Sequence, residues 1–326
     1  MSYKISVVMT SYNGSHYIVE QLESIRAQSH QVDEVIICDD CSTDETFKII
    51  CSYIEKNKLA NWLAYENDTN LGWMRNFYKA VSLCSGDIIF FSDQDDIWLP
   101  DKVELLSNLM KQYDADAAYG GYRIIDHNGA LVTDGANSKR HWSERIWVQR
   151  FDKKFNTIIT LGCRMCISRE IADLYLTLNE PDNGHDSQCG RLALLKKGIV
   201  TVDVPVINYR IHGLNTSGVS NQGSYGYSTL EKRVSGINEN IKWLDKLCQA
   251  AGLSDMQRDV VRSTSKMQQE RYEYLSGLCG KKLLDLWKYH SYYSGIGMLI
   301  GDYAYKHGLN RELGDIRYKT GRTFRI

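Results

Sequence analysis

Proline is scarce in this sequence. Only 3 of its 326 residues are proline, at positions 100, 181 and 205, each at the border of a patterned segment. That excludes a proline-rich linker and a polyproline recognition tail. Long apolar runs are missing as well: no stretch reaches the roughly 18 apolar residues that a membrane-spanning helix needs. Neither sign of charge is in excess. With 39 Lys and Arg against 40 Asp and Glu, the formal net charge is −1, which gives no electrostatic reason to expect nucleic acid as a partner. Phenylalanine is sparse, 7 against 21 tyrosines. Tyrosine has an apolar body and a polar tip, so this balance favours half-buried and interfacial positions. The 9 cysteines are odd in number and scattered singly through apolar segments, which argues against a disulfide framework and for a reducing compartment. The first strand begins at Lys4, leaving no room for a signal peptide, so the expectation is a cytoplasmic protein.

What is present is ordinary for a globular chain, 43% hydrophobic and 24% charged. The length implies one large domain with an appendage or second domain. Strand and helix signals alternate at first: strand Ile5–Thr10, helix His16–Gln28, strand Val35–Cys38, helix to about Lys56, strand Trp62–Tyr65, helix Trp73–Leu83 and strand Ile88–Phe91. Ser42-Thr-Asp-Glu45 matches a capping box for the second helix. This order predicts an α/β fold with a parallel sheet covered by helices, whose ligands bind at the carboxyl ends of the strands. Short strands at Ala117–Tyr122, Gly162–Ile167, Ile199–Val202 and Val206–Ile211 follow, with helices over Arg169–Leu178 and Ser187–Lys196 and a hairpin turn at Asn128-Gly129. The expected division is a catalytic domain over 1–222 and a helical region over 223–326, with helices at Ser228–Ala250, Asp255–Leu278 and Lys281–Tyr289.

Polar clusters fall at the predicted strand ends: Thr10-Ser-Tyr-Asn-Gly14, Asp39-Asp40 and Asp93-Gln-Asp-Asp96. Acids crowded at the end of a buried strand repel one another and lose solvation unless a cation sits among them. Hard carboxylate oxygens suit Mg²⁺ or Mn²⁺, which keep open positions for substrate phosphates. The alternative is a solvated acidic turn ahead of the helix that Pro100-Asp101 opens. Cys38-x-x-Cys41 and Cys163-x-x-Cys166 have zinc spacing, but in an extended strand the two side chains of such a pair point to opposite faces.

Several segments in order resemble glycosyltransferase family 2 with the GT-A (Rossmann-like) fold: Ile5-Ser-Val-Val-Met-Thr-Ser-Tyr-Asn-Gly14, Val35-Ile-Ile-Cys-Asp-Asp-Cys-Ser-Thr-Asp44, Asn70-Leu-Gly-Trp-Met-Arg-Asn76 and Asp93-Gln-Asp95. Phe91-Ser-Asp-Gln-Asp-Asp-Ile-Trp98 and Tyr209-Arg-Ile-His-Gly-Leu-Asn-Thr-Ser217 look most like its bacterial rhamnosyltransferase branch. The resemblance implies an inverting enzyme that moves a sugar from a dTDP- or UDP-sugar, L-rhamnose from dTDP-rhamnose or otherwise a hexose, onto a saccharide or lipid-linked saccharide of a bacterial surface polysaccharide. It places Thr10, Tyr12, Asn13, Asp39, Arg75, Asp93 and Arg210 at the nucleotide-sugar, and Asp93, Asp95 and His212 at a Mn²⁺ or Mg²⁺ ion. Asp186 in Gly184-His-Asp186 takes the place of the general base.

Each residue also has a plainer reading. Asp186 fits a helix N-cap, Tyr12 ordinary packing, Arg75 a solvated helix face, and His212 a structural histidine. Asp39 could cap the following helix, although Ser42 fills that role in the capping-box reading. Two rival functions remain, a sugar nucleotidyltransferase and a non-catalytic nucleotide-sugar binding module. The first would be expected to carry a glycine-rich loop where this chain has Thr-Ser-Tyr-Asn-Gly. Residues 214–227, rich in Gly, Ser and Asn, read as an active-site lid or a linker. The basic, aromatic stretch Lys281–Tyr293 and the region Arg311–Arg325 read as packed helix, as a contact with the acceptor or another subunit, or as attachment to the inner face of an anionic membrane.

Overall fold

The computed structural model describes residues 3–134, 142–157, 161–213, 229–250, 252–280, 282–293 and 296–309. The chain divides into two compact units, Met1–Arg150 with Ile159–Arg210, and Phe151–Ile158 with Ile211–Ile326.

The first unit contains strands β1 (Ile5–Ser11), β2 (Glu34–Asp39), β3 (Trp62–Glu66), β4 (Ile88–Ser92), β5 (Ile97–Trp98), β6 (Ala117–Ile125), β7 (Leu131–Thr133), β8 (Ile146–Gln149), β9 (Met165–Ser168) and β10 (Ile199–Arg210). Its helices are α1 (Ile18–Arg26), α2 (Thr46–Lys56), α3 (Trp73–Leu83), α4 (Lys102–Tyr113), α5 (Arg169–Leu178) and α6 (His185–Leu195). The sheet runs β3-β2-β1-β4-β9-β6-β10-β5, with β7 on β6 and β8 on β10. β1 and β4 are buried along their whole length, as expected of parallel strands covered on both faces. Their ladder pairs Ser11 with Asp39 and Met9 with Ser92. The carboxyl ends of β1, β2 and β4 therefore finish side by side, and the three polar clusters share one edge. α1 buries Ile18, Leu22 and Ile25 on one stripe, each side chain contributing about 1.5–3 kcal/mol.

Three local expectations change. Ser42 does not cap α2: the helix starts at Thr46, whose amide donates to Asp44 Oδ1 at 2.9 Å. Residues 162–164 form a 3-10 turn ahead of β9 rather than a strand. The two strands expected over 199–211 are the single strand β10, with its pairing to β6 irregular around Pro205. Proline cannot donate to a ladder, so it interrupts the register without ending the strand.

The second unit contains α7 (Leu230–Gln249), α8 (Asp255–Leu275), a 3-10 segment (Leu283–Tyr292) and α9 (Ile296–Lys306). The expected helix at 281–289 is thus a 3-10 element, and α9 had no sequence forecast. Its core joins Ile237, Ile241, Met267, Tyr274, Leu275, Leu286, Tyr289, Tyr293 and Leu299. Asp302, fully buried on α9, ties the helices together by accepting from Arg271 of α8 at 2.8 and 2.9 Å and from Arg233 of α7 at 2.7 and 2.9 Å. Burial works to raise its carboxyl, but Arg271 and then Arg233 outweigh it and hold the group below the usual range. Replacing Asp302 with alanine leaves cations buried without their partner, so unfolding of the full chain in urea should lose about 3–5 kcal/mol. A loss below about 1 kcal/mol would show the cluster to be dispensable. Among the described residues no helix is long and apolar enough to cross a membrane.

Candidate active site

At the end of β2, the fully buried Asp39 carboxylate accepts from Ser11 Oγ at 2.6 Å, Ser42 Oγ at 2.7 Å and the Ser42 amide at 2.8 Å. Ser42 is thus Asp39's partner, and its hydroxyl also receives the Asn13 amide at 2.9 Å. Asn13 has a left-handed backbone, φ 47°, and its Oδ1 accepts the Thr43 amide at 2.8 Å. Thr10 is buried in β1, whereas Tyr12 is exposed.

Gln94, the middle residue of the acidic triplet, is not among the site residues that the resemblance names. Its side chain receives the Tyr12 amide at 2.8 Å and donates to the Tyr12 carbonyl at 2.9 Å. Gly14 permits this approach, because a Cβ there would lie 2.1 Å from Gln94 Oε1. Asp40 was singled out only as part of a cluster. Its carboxylate accepts the Leu71 amide at 2.7 Å, the Gly72 amide at 2.8 Å and Asn67 Nδ2 at 2.9 Å, fixing the loop that leads into α3.

Beyond β4, ligand atoms of Asp93, Asp96 and Cys163 all lie within 4.8 Å of one another. Burial, then Asp95, then Asp186 push the Asp93 carboxyl up to about 7. Burial, then Asp95 and Asp93, push Asp96 well above its ordinary value. Asp186 therefore stands within electrostatic reach of Asp93, although 93 residues separate them in sequence. Asp96 Oδ2 is buried with no hydrogen-bond partner among the described residues. Crowded carboxylates with an unpaired buried oxygen fit a hard divalent cation. Cys163 fits less well, since burial pushes its thiol far up and sulfur is a soft donor. Lys102 lies against the same turn, donating to the Cys163 carbonyl at 2.6 Å and resting 3.4 Å above the Trp98 ring centre. Its burial pushes the ammonium down to about 7.

Arg210, at the end of β10, is 1% exposed. Its amide donates to Asp96 Oδ1 at 3.1 Å and its Nε to the Asp95 carbonyl at 2.8 Å. The rest of the guanidinium reaches the Asp126 and His127 carbonyls and Glu20. It clamps the acidic turn from behind. His212 falls in the second unit. Arg75 makes a two-pronged ion pair with Asp182, Nη2 to Oδ2 at 2.7 Å, with both side chains about half exposed.

Asp186 is not an N-cap. Gly184 occupies that position, and Asp186 lies in the first turn of α6, where a negative charge complements the helix dipole. Its Oδ1 accepts the Ser187 amide at 2.6 Å. The neighbouring His185 is buried, stacked on Phe91 at 4.5 Å and tilted against Phe77 at 4.0 Å between ring centres. Burial pushes its imidazole down to about 4, against the opposing pull of Asp186. Because the unfolded chain takes up this proton near pH 6.5, wild type should lose stability relative to His185→Phe as pH falls from about 6.5 to about 4, by a few kcal/mol. Parallel pH dependence of the two proteins in urea unfolding would show that His185 is not held neutral.

The sequence pattern described as Glycosyl transferase family 2 matches residues 6–175. The chain is 35% identical over 130 residues, 40% of its length and 49% of the relative's, to UDP-Glc:alpha-D-GlcNAc-diphosphoundecaprenol beta-1,3-glucosyltransferase WfgD of Escherichia coli. It is 32% identical over 184 residues, 54% of its length and 26% of the relative's, to chondroitin synthase of Escherichia coli. The matches therefore span half or less of these relatives. The crystal structure of S. aureus TarS 1-349 in complex with UDP-GlcNAc superposes with a TM-score of 0.61 at 16% identity, covering 98% of this chain and 93% of that one.

Proposed function

Because the chain belongs to glycosyl transferase family 2, we propose that it is a metal-dependent, inverting glycosyltransferase of bacterial surface polysaccharide synthesis. Its helix-flanked mixed sheet is the GT-A fold. The observation that carries the reading is the close approach of Asp93 and Asp96 just beyond β4, with Asp95 and Asp186 near enough to raise the Asp93 carboxyl although Asp186 comes from a distant helix. Asp39, with Thr10 at the end of β1 and Tyr12 and Asn13 on the loop that follows it, receives the nucleotide. Asp93 and Asp95, with Asp96 alongside, would hold Mn²⁺ or Mg²⁺, which supplies Lewis-acid neutralisation of the donor diphosphate.

Asp186 accepts the proton of the acceptor hydroxyl as its oxygen bonds to the anomeric carbon and the carbon–oxygen bond to the diphosphate breaks. Attack from the side opposite the leaving group inverts that carbon, as the family resemblance implies. Arg210 acts by holding the Asp95–Asp96 turn. Arg75 is half exposed, and an exposed ion pair is worth little, so its planar fork can exchange Asp182 for donor phosphate oxygens. His212, which the resemblance alone assigns to the ion, belongs to the second unit.

Two donor classes are proposed: dTDP-rhamnose, on the resemblance of 91–98 and 209–217, and a UDP-hexose, on the UDP-Glc in the name of the glucosyltransferase relative. That relative's name also prints a diphosphoundecaprenol-linked sugar. A lipid-linked acceptor would suit peripheral contact at the inner face of the membrane, where the exposed Leu284 and Trp287 of the 3-10 segment offer apolar anchors. Isothermal titration of UDP- and dTDP-sugars, with Mn²⁺ and with EDTA, tests the reading. One donor class should bind in a metal-dependent manner, and no binding by any would overturn it. The lid reading of 214–227 concerns residues outside those described.

A further inference from the structure

Trp73 opens α3, and 40% of its surface is exposed. Its setting is nevertheless built. Its ring meets His185 in a T-shaped contact, 6.0 Å between ring centres at 78°, and His185 is itself wedged against Phe77 and Phe91. The loop just ahead is pinned by Asp40. The indole also borders Asp186. A Cβ placed on Gly184 would lie 2.9 Å from Asp186 Oδ1 and 3.3 Å from Trp73 Cη2. Carboxylate and indole thus converge on one small region, which Gly184 leaves clear of side chain.

An indole that is 40% exposed and held in place by His185, beside a half-buried carboxylate, matches the two surfaces of a pyranose. The electron-rich ring face attracts the sugar's axial C–H groups, while the carboxylate takes a hydroxyl. The geometry points to Trp73 as the platform on which the acceptor sugar stacks, setting which of its hydroxyls meets Asp186. The assignment to acceptor rather than donor rests on the transferase reading, because the group that removes the hydroxyl proton must lie beside the incoming sugar. Trp73 acts as a specificity residue, with the acidic turn and Asp39 left to the donor.

The test uses the full chain with Mn²⁺ and UDP or dTDP. Methyl glycosides of glucose, N-acetylglucosamine, galactose and rhamnose serve as probes, read by saturation-transfer NMR. At least one glycoside should receive saturation at its ring C–H protons. Trp73→Ala should weaken that glycoside about tenfold or more, Trp73→Phe by no more than about threefold, with nucleotide affinity within about twofold of wild type in both. Retained nucleotide binding also shows that the variants are folded. The inference is overturned if wild type binds none of the glycosides, if Trp73→Ala binds them as wild type does, or if glycoside and nucleotide affinity fall together. Glycoside binding that depends on Trp73, without transfer from any UDP- or dTDP-sugar, would uphold the platform while removing the transferase reading.

Discussion

Asp95→Ala is expected to abolish sugar transfer, and EDTA is expected to do the same to the unaltered chain. Burial and neighbouring carboxylates already lift Asp93 to about 7 and push Asp96 well above its ordinary value, so the cluster resists carrying its full charge alone. A divalent cation relieves that repulsion and is attracted by it. Without Asp95 the remaining acids repel less and attract the ion less. Loss of activity should therefore come with weaker Mn²⁺-dependent donor binding, measured by calorimetry. Lys102, buried beside the same turn, supplies only part of the compensating charge. Full turnover in EDTA would end the metal assignment.

Asp186→Asn keeps the size and hydrogen-bonding shape of the side chain but removes its capacity to take a proton. Transfer should fall on the order of a hundredfold or more, while donor affinity stays nearly unchanged. The two readouts separate three roles. A non-catalytic nucleotide-sugar binding module would have no turnover to lose and would keep its donor affinity. A sugar nucleotidyltransferase would form nucleotide-sugar from a sugar phosphate and a nucleoside triphosphate, a reaction to be assayed alongside. Collapse of donor affinity would instead assign Asp186 to the donor pocket.

Much of the sheet was legible because buried parallel strands are continuous apolar runs, as in Ile5-Ser-Val-Val-Met and Asp87-Ile-Ile-Phe-Phe. The resemblance then ordered the polar clusters along its edge. What stayed hidden lies mostly in partners distant in sequence. Ser42 has the local look of a helix cap, yet Asp39 at the end of the preceding strand and Asn13 on the neighbouring loop take its hydrogen bonds. Arg210 could be placed near the acids, but not as the clamp on the Asp95 carbonyl, a contact across 115 residues. Trp73 and His185 meet only because α3 and α6 pack together. Gln94 left a signal that could have been read, since an amide in the middle of an acidic turn needs partners of its own.

The seating of Arg210 bears on how this protein should be cut and how it is made on the ribosome. The family pattern ends at residue 175, yet β6 finds its parallel neighbour in β10, over residues 199–210. A fragment trimmed to the family boundary would expose the flank of β6 and release the acidic turn from the arginine behind it. During synthesis the loops that follow β1 and β2 emerge early, but the turn that carries the acids cannot be locked until residue 210 has left the exit tunnel.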